Sequence, residues 1–310
     1  MKTTSTEIYI LSGFLGSGKT TLLTRLLARE KERGRKAAVL MNELGNLSVD
    51  SRILPQDTPL KELLNGCICC TIQAQLTQQL TSLCQQYAPD VIYIEATGAA
   101  HPVEVLEACV TPLLAKQLKT CKIVTTVDLP RWRDRDRLSI RLKRLLEEQV
   151  RFSDFLVINK ASEVAEEEKA ALLSDLAQCN EQAERVVTDF ARFDLSLLYD
   201  QTGRQISFRQ TEAHQQAHAA DHLHVRTFAY TWDGPIDRAK FAEWLRATPD
   251  TLYRAKGYMR FLDNPRQTFL FQYAYGMPIF TEEPFPYPFT VVFIGEALPE
   301  AEWKEQLAKL

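Results

Sequence analysis

The chain has 310 residues, with 37 Lys and Arg against 40 Asp and Glu for a formal charge of −3; it is long enough for two ordinary domains and too evenly charged to suggest nucleic acid as a partner. At 45% hydrophobic and 25% charged residues it has the composition of a folded globular protein, which excludes a collagen-like, coiled-coil or extensively disordered chain. Of the seven cysteines, three crowd into Cys67, Cys69 and Cys70 and the others are scattered. That is no disulfide framework and points to the reducing cytoplasm, and neither a signal-peptide-like apolar run nor a stretch of about 18 apolar residues suggests a membrane.

From residue 7 to about 188, β-branched runs alternate with amphipathic stretches, the pattern of βα units around a mostly parallel sheet. Strands are expected at 7–12, 37–42, 91–96, 123–128 and 155–160, with helices at 20–33, 73–87, 134–152 and 165–179. The apolar density of the strands implies a sheet covered on both faces. Within 131–151, eight Lys and Arg stand against four Asp and Glu, which reads as a solvated helix laced with its own ion pairs rather than a surface for an acidic partner. The segment 201–221 is polar and rich in Gln and His, as a linker would be. A second pattern follows: a strand at 222–231, a helix at 237–247, strands at 251–262, 267–275 and 289–294, and a last helix at 300–310, together a compact α+β unit whose aromatic residues read as core.

The strongest local signal is Gly13-Phe-Leu-Gly16-Ser17-Gly18-Lys19-Thr20, a full P-loop pattern placed after a strand and before a helix. Its glycines allow backbone N–H groups to wrap phosphate oxygens, Lys19 reaches the β- and γ-phosphates, and the Thr20 hydroxyl ligates Mg2+. A nucleoside triphosphate is therefore the expected ligand. At the end of the strand 91–96, Glu95 is placed to hold a magnesium-bound water and Gly98 to meet the γ-phosphate. Asn159-Lys160 matches the start of the guanine-reading N-K-x-D pattern, but Ser162 stands where the aspartate belongs and cannot make its bidentate contact with guanine. Glu163 is the nearest substitute, and restoring the motif with Ser162→Asp is expected to sharpen a preference for GTP over ATP.

Gly66-Cys67-Ile68-Cys69-Cys70 brings three thiols close enough to converge on one soft ion, for which Zn2+ with one further ligand is the natural occupant. His214, His218 and His222 would line one helix face at four-residue steps and could chelate a divalent ion, or belong to a solvated linker; the residues alone do not separate these readings. His101 reads as a residue that shapes the loop after Gly98 rather than as a base.

In order, GFLGSGKTTLL, MNELG, NGCICC, IEATG followed by His-Pro, and Asn-Lys resemble the CobW family of P-loop GTPases, and FAEWLRATPDTLYRAKGYMRF resembles that family's C-terminal domain. The resemblance implies slow GTP hydrolysis with GTP and GDP as ligands, Mg2+ at the P-loop, zinc or cobalt (Co2+) at the C-x-C-C site, and contact with a client metalloprotein. Carried over, Gly13 to Thr21, including Ser17 and Thr21, would be the phosphate loop; Cys67, Cys69 and Cys70 the metal thiolates; Glu43 a switch residue able to approach metal or nucleotide; and Asp50 a first-switch residue near magnesium. Leu44, Asn46 and Ser162 depart from the family pattern, the first without consequence.

The expected architecture is thus α/β: a P-loop NTPase domain with a mostly parallel sheet over 1–205, a His-bearing linker at 206–221, and a smaller CobW-like α+β domain over 222–310. The expected function is that of a cytoplasmic GTPase metallochaperone with Lys19, Thr20 and Glu95 at the chemistry, no nucleic-acid or membrane partner, and room for a homo-oligomer. A metal store or sensor with nucleotide as a structural ligand, or an ATP-dependent P-loop enzyme, are the alternatives.

Overall fold

The computed structural model describes residues 6–41, 60–62, 70–111, 114, 118–199, 204–205, 225–274, 276–284, 287–296 and 298–310. Within them the chain forms two compact units, one carrying the described residues from 6 to 109 and 118 to 199, the other residues 110, 111, 114, 204 and 205 and those from 225 to 310.

The first unit is built on a parallel sheet. Strands β1 (Thr6–Ser12), β2 (Ala37–Met41), β3 (Leu60–Glu62), β4 (Val91–Glu95), β5 (Leu118–Asp128), β6 (Phe155–Asn159) and β7 (Glu184–Val187) run in the order β3-β2-β4-β1-β5-β6-β7. Every one of these neighbour pairings is parallel. Alternation along the strands feeds two separate cores. Phe155 and Val157 join Tyr9, Leu11, Val39, Tyr93 and the buried leucines of α1 (Lys19–Glu32) on one face, while Leu156 and Ile158 pack with Trp132, Val150 and Leu176 on the other. The strands thus sit between layers of helices, and their carboxyl ends open along one edge.

The expected helix over 134–152 is instead two pieces, a 3₁₀ turn Arg135–Arg137 and a helix Ile140–Arg151, preceded by a short helix Leu129–Arg133. Capping residues set the two helix starts, and Ser139 lies inside the expected span. Asp128 accepts from the Arg131 N–H at 3.0 Å with Pro130 at the first turn, and Ser139 accepts from the Leu142 N–H at 3.4 Å. The charges there pair locally, Lys143 with Asp136 and Arg135 with Asp175, each at 2.6 Å. His101 caps the helix Pro102–Cys109, its Nδ1 accepting from the Val103 N–H at 3.2 Å.

The second unit is an antiparallel sheet in the order β12-β11-β10-β13-β9, from β9 (Val225–Thr231), β10 (Leu252–Phe261), β11 (Asn264–Ala274), β12 (Met277–Glu283) and β13 (Thr290–Glu296); a two-residue strand β8 (Arg204–Gln205) precedes them. Its core is aromatic: Phe228, Trp232, Phe241, Phe261, Phe271, Phe293 and Trp303. The helices Arg238–Arg246 and Glu300–Leu307 supply Phe241 and Trp303 to it, and Asp237 caps the first by accepting from the Ala239 and Lys240 N–H groups. Among the described residues, no helix is long and apolar enough to cross a membrane.

Candidate functional site

The parallel register decides which side chains meet. Leu11 lies opposite Glu95, and Asp128 opposite Asn159. The ends of β1, β4, β5 and β6 therefore deliver Ser12, Glu95, Thr126–Asp128 and Asn159 to the same edge of the sheet, around the loop that leaves β1. In that loop Gly13, Gly16 and Gly18 take φ values of 131°, 78° and 110°, the left-handed half of backbone space that glycine tolerates. Gly18, which opens α1, has a second reason to lack a side chain: a Cβ there would fall 2.4 Å from Asn159 Nδ2. Gly98 has an equivalent one, since its Cβ would meet the Leu15 backbone nitrogen at 2.5 Å. The loop after β4 thus lies directly against the phosphate loop.

Lys19 is buried and its Nζ donates to the carbonyls of Gly13 (2.9 Å) and Phe14 (3.1 Å). Burial pulls the Lys19 ammonium below the ordinary lysine value, and the Glu95 carboxylate opposes that shift. The Thr20 hydroxyl donates to Glu95 Oε1 at 2.7 Å. A hydroxyl and a carboxylate held together beside a helix N-terminus form a hard-oxygen pair, the donor chemistry that Mg2+ prefers. Ser17 turns inward, its hydroxyl 2.6 Å from Thr126 Oγ1, so that side chain anchors the loop to β5; Thr21 is exposed one position beyond the pair. Gln149, on the helix Ile140–Arg151, donates to the carbonyls of Gly98 (3.1 Å) and Ala100 (3.3 Å) and fixes the loop that follows Glu95.

Asn159 is a structural link. Its Nδ2 donates to the Ser17 carbonyl at 2.9 Å while its Oδ1 accepts from the Ala191 N–H at 3.1 Å, tying the phosphate loop to the turn after β7. Lys160 turns the other way and donates to Asp128 Oδ2 at 2.6 Å. Ser162 donates through both its N–H and its hydroxyl to Asp189 Oδ1, each at 2.9 Å. Asp189 therefore already sets a carboxylate against Ser162, and the one that Ser162→Asp would add must stand beside it and be repelled by it.

Lys19, Thr20, Glu95, Gly98 and Asn159 are brought together. Glu43, Asp50, Cys67, Cys69, His214, His218 and His222 lie outside the described residues, as does the side chain of Cys70, whose backbone begins the helix α2 (Cys70–Tyr87). Among the described residues no three His, Cys, Asp or Glu side chains form a metal cluster. Thr126 and Gln149 brace the phosphate loop and the segment after Glu95, and Asp189 meets Ser162, without a contiguous motif to announce them.

Residues 7–187 match the family model described as CobW/HypB/UreG, nucleotide-binding domain. The chain belongs to this family. Residues 225–310 match a second model, Cobalamin synthesis protein cobW C-terminal domain. The chain is 28% identical over 323 residues to Zinc chaperone YjiA of Escherichia coli K12, covering 98% of each. It is 30% identical over 199 residues to Zinc chaperone CobW of Pseudomonas aeruginosa, where it spans 55% of this chain and 52% of the relative. A crystal structure of a zinc-bound triple mutant of the YjiA GTPase superposes with a TM-score of 0.52 at 25% identity, covering 99% of both chains. The fold is that of a P-loop GTPase of the CobW/HypB/UreG family followed by a CobW C-terminal domain, and the Thr20–Glu95 and Lys19 contacts lie within the matched nucleotide-binding region.

Proposed function

We propose that the protein is a GTP-hydrolysing zinc chaperone of the cytoplasm, which binds Zn2+ on Cys67, Cys69 and Cys70 and passes it to a client metalloprotein in a manner set by the nucleotide. The observation that carries this reading is the path between the two sites. Cys70 begins α2, whose Leu76, Leu80 and Leu83 are buried, and α2 leads into β4, whose last residue, Glu95, holds the Thr20 hydroxyl. α2 is also tied to the helix after Gly98, through Thr77 Oγ1 donating to the Ala108 carbonyl at 2.9 Å. A change at the γ-phosphate that moves Glu95 or Gly98 reaches α2 along β4 and through the Thr77–Ala108 hydrogen bond.

In this reading the P-loop N–H groups and Lys19 bind the phosphates, and Thr20 and Glu95, joined by Asp50, hold Mg2+. The ion supplies positive charge to the β- and γ-phosphates. Gly98 touches the loop closely enough to report the γ-phosphate. No side chain around Lys19, Thr20 and Glu95 is placed as a general base among the described residues, so turnover is slow until a client or bound metal orders the switches. Zinc names in the relatives support zinc as the cargo, and cobalt shares the thiolate chemistry. Glu43 is a further candidate metal ligand. His214, His218 and His222 are a secondary, exchangeable site.

The test is competition for zinc against a chromophoric chelator, with the protein free, GDP-bound and bound to a non-hydrolysable GTP analogue. Zinc affinity should differ between the nucleotide states by roughly five- to 150-fold, the usual range of coupling between sites. The triple Cys→Ser variant at 67, 69 and 70 should lose one equivalent. Identical affinities in every state would leave a metal store in which nucleotide is structural, and unchanged stoichiometry in the variant would move the metal to the histidines.

A further inference from the structure

We infer that Asp189 supplies the carboxylate that reads the N1–H and 2-amino group of guanine, delivered from the turn after β7 rather than from the Asn159–Ser162 segment. This rests on the GTP reading above and assigns its base specificity.

An aspartate three residues after Asn159 would place its carboxylate just beyond the position of the Ser162 hydroxyl. Asp189 Oδ1 is 2.9 Å from that hydroxyl and 2.9 Å from the Ser162 backbone nitrogen. The negative group is therefore one hydrogen bond from where the complete motif would put it. The two residues exchange roles across the two loops: the donor sits on the β6 side and the acceptor on the β7 side.

The carboxylate is presented for such work. The Ser162 N–H holds Asp189 below the ordinary carboxylate range, with the Ser162 hydroxyl and Lys169 adding to the effect, so it is ionised at neutral pH. It remains accessible at the surface, and an ionised carboxylate accepts more hydrogen bonds than the two that Ser162 donates. Its turn is held firmly. Asn159 Oδ1 accepts from Ala191, Arg25 of α1 donates to the Ala191 carbonyl and, at 3.2 Å, to the Phe193 carbonyl, and Thr188 Oγ1 donates to the Arg192 carbonyl at 2.6 Å. Because Asn159 also grips the Ser17 carbonyl, the distance from the phosphate loop to Asp189 is fixed by one side chain. Phe190 and Ala191 accept positive φ values of 54° and 52° to make this turn, a backbone cost that persists only where the surroundings impose it. Glu163, the nearest carboxylate in sequence, is exposed at the end of the 3₁₀ turn Ala161–Glu163.

The chemistry predicts a switch as well as a loss. Guanine offers N–H donors at N1 and N2, which suit a carboxylate; xanthine offers N1–H and a carbonyl at C2, which suit an amide. The experiment is displacement of a fluorescent GDP from the full chain, with magnesium, by GDP, IDP, ADP and XDP. Wild type should prefer GDP over ADP and over IDP, which lacks the 2-amino group. Asp189→Asn should weaken GDP by at least about tenfold and strengthen XDP, a reversal that loss of structure does not produce. Ser162→Asp alone should weaken GDP through like-charge crowding, and the exchange Ser162→Asp with Asp189→Ser should restore it.

Wild type that does not distinguish GDP from ADP would overturn the GTP reading itself. Wild type that prefers GDP, with an Asp189→Asn variant whose GDP-to-XDP ratio is unchanged, would overturn the role of Asp189 and leave that reading standing. If Asp189→Asn fails to fold by circular dichroism, the exchanged double variant decides: preference for GDP supports the assignment, and its loss contradicts it.

Discussion

At the phosphate end of the cradle, one uninterrupted stretch from Gly13 to Thr20 carries the loop, the lysine and the hydroxyl, and its geometry follows from residue type and order. At the base end inferred above, Asn159 and Ser162 come from the end of β6 and Asp189 from a turn 27 residues beyond Ser162. Both ends are held to hydrogen-bond distances, so they do not differ in how well they are built. They differ in whether the chain writes the site contiguously, and only the contiguous half can be read as a motif. A missing residue in the second half is a question about the neighbouring loop as much as about the motif.

The largest expected effect lies at the phosphate end. Lys19→Ala removes the buried ammonium from the loop and should lower turnover by a factor corresponding to about 3–4 kcal/mol in the transition state, with circular dichroism unchanged. Turnover equal to wild type would remove Lys19 from the chemistry. Asn159→Ala acts on both ends at once. It orphans the Ser17 carbonyl and the Ala191 N–H, should cost about 1–3 kcal/mol of stability in denaturant unfolding, and should weaken GDP and ADP alike, because the phosphate loop loosens with the base turn. If it weakened GDP alone, Asn159 would belong to the base end only.

A smaller effect separates the phosphate half from the sheet beneath it. Gln149→Ala releases the carbonyls of Gly98 and Ala100 and should raise the Michaelis constant for GTP by a few-fold, about 0.5–1.5 kcal/mol, and, because the side chain is buried, should lower the melting temperature as well. The smallest effect is remote from both ends and serves as their control. Arg35 (2.6 Å) and Lys119 (3.1 Å) hold the Glu7 carboxyl below its ordinary value, against burial that pushes it up. A depressed pKa contributes stability above the unfolded-state value, and that contribution fades as pH falls below the ordinary 4.5 and through the lower folded value. Glu7→Gln should therefore cost up to about 1 kcal/mol at neutral pH, and the difference from wild type should close in acid, with nucleotide affinity untouched throughout.

The same contrast governs how much of the fold is legible in the sequence. Strands β1, β2, β4 and β6 are nearly continuous apolar runs because both faces are covered, and their places are plain. β7 is not, since Glu184–Val187 is only partly buried and mixes charge with valine, and without β7 the turn that carries Asp189 has no context. β12 hides for a related reason: Met277–Phe280 is exposed at the sheet edge, where no buried face imposes alternation. The break in the helix expected over 134–152 is written in Ser139, and the short helix before it in Asp128 and Pro130, but helical periodicity around them masks caps that short. Ser17, part of the phosphate motif, proves to spend its hydroxyl on Thr126, a partner on another strand that no local pattern names.

If nucleotide and metal bind to one coupled machine, reciprocity makes the coupling measurable from the nucleotide side. The measurement is the affinity of the full chain for GDP and for a non-hydrolysable GTP analogue, with and without one equivalent of zinc. Zinc should change the ratio of those two affinities by the same factor by which the nucleotides change zinc binding, as linkage requires. An unchanged ratio would contradict it.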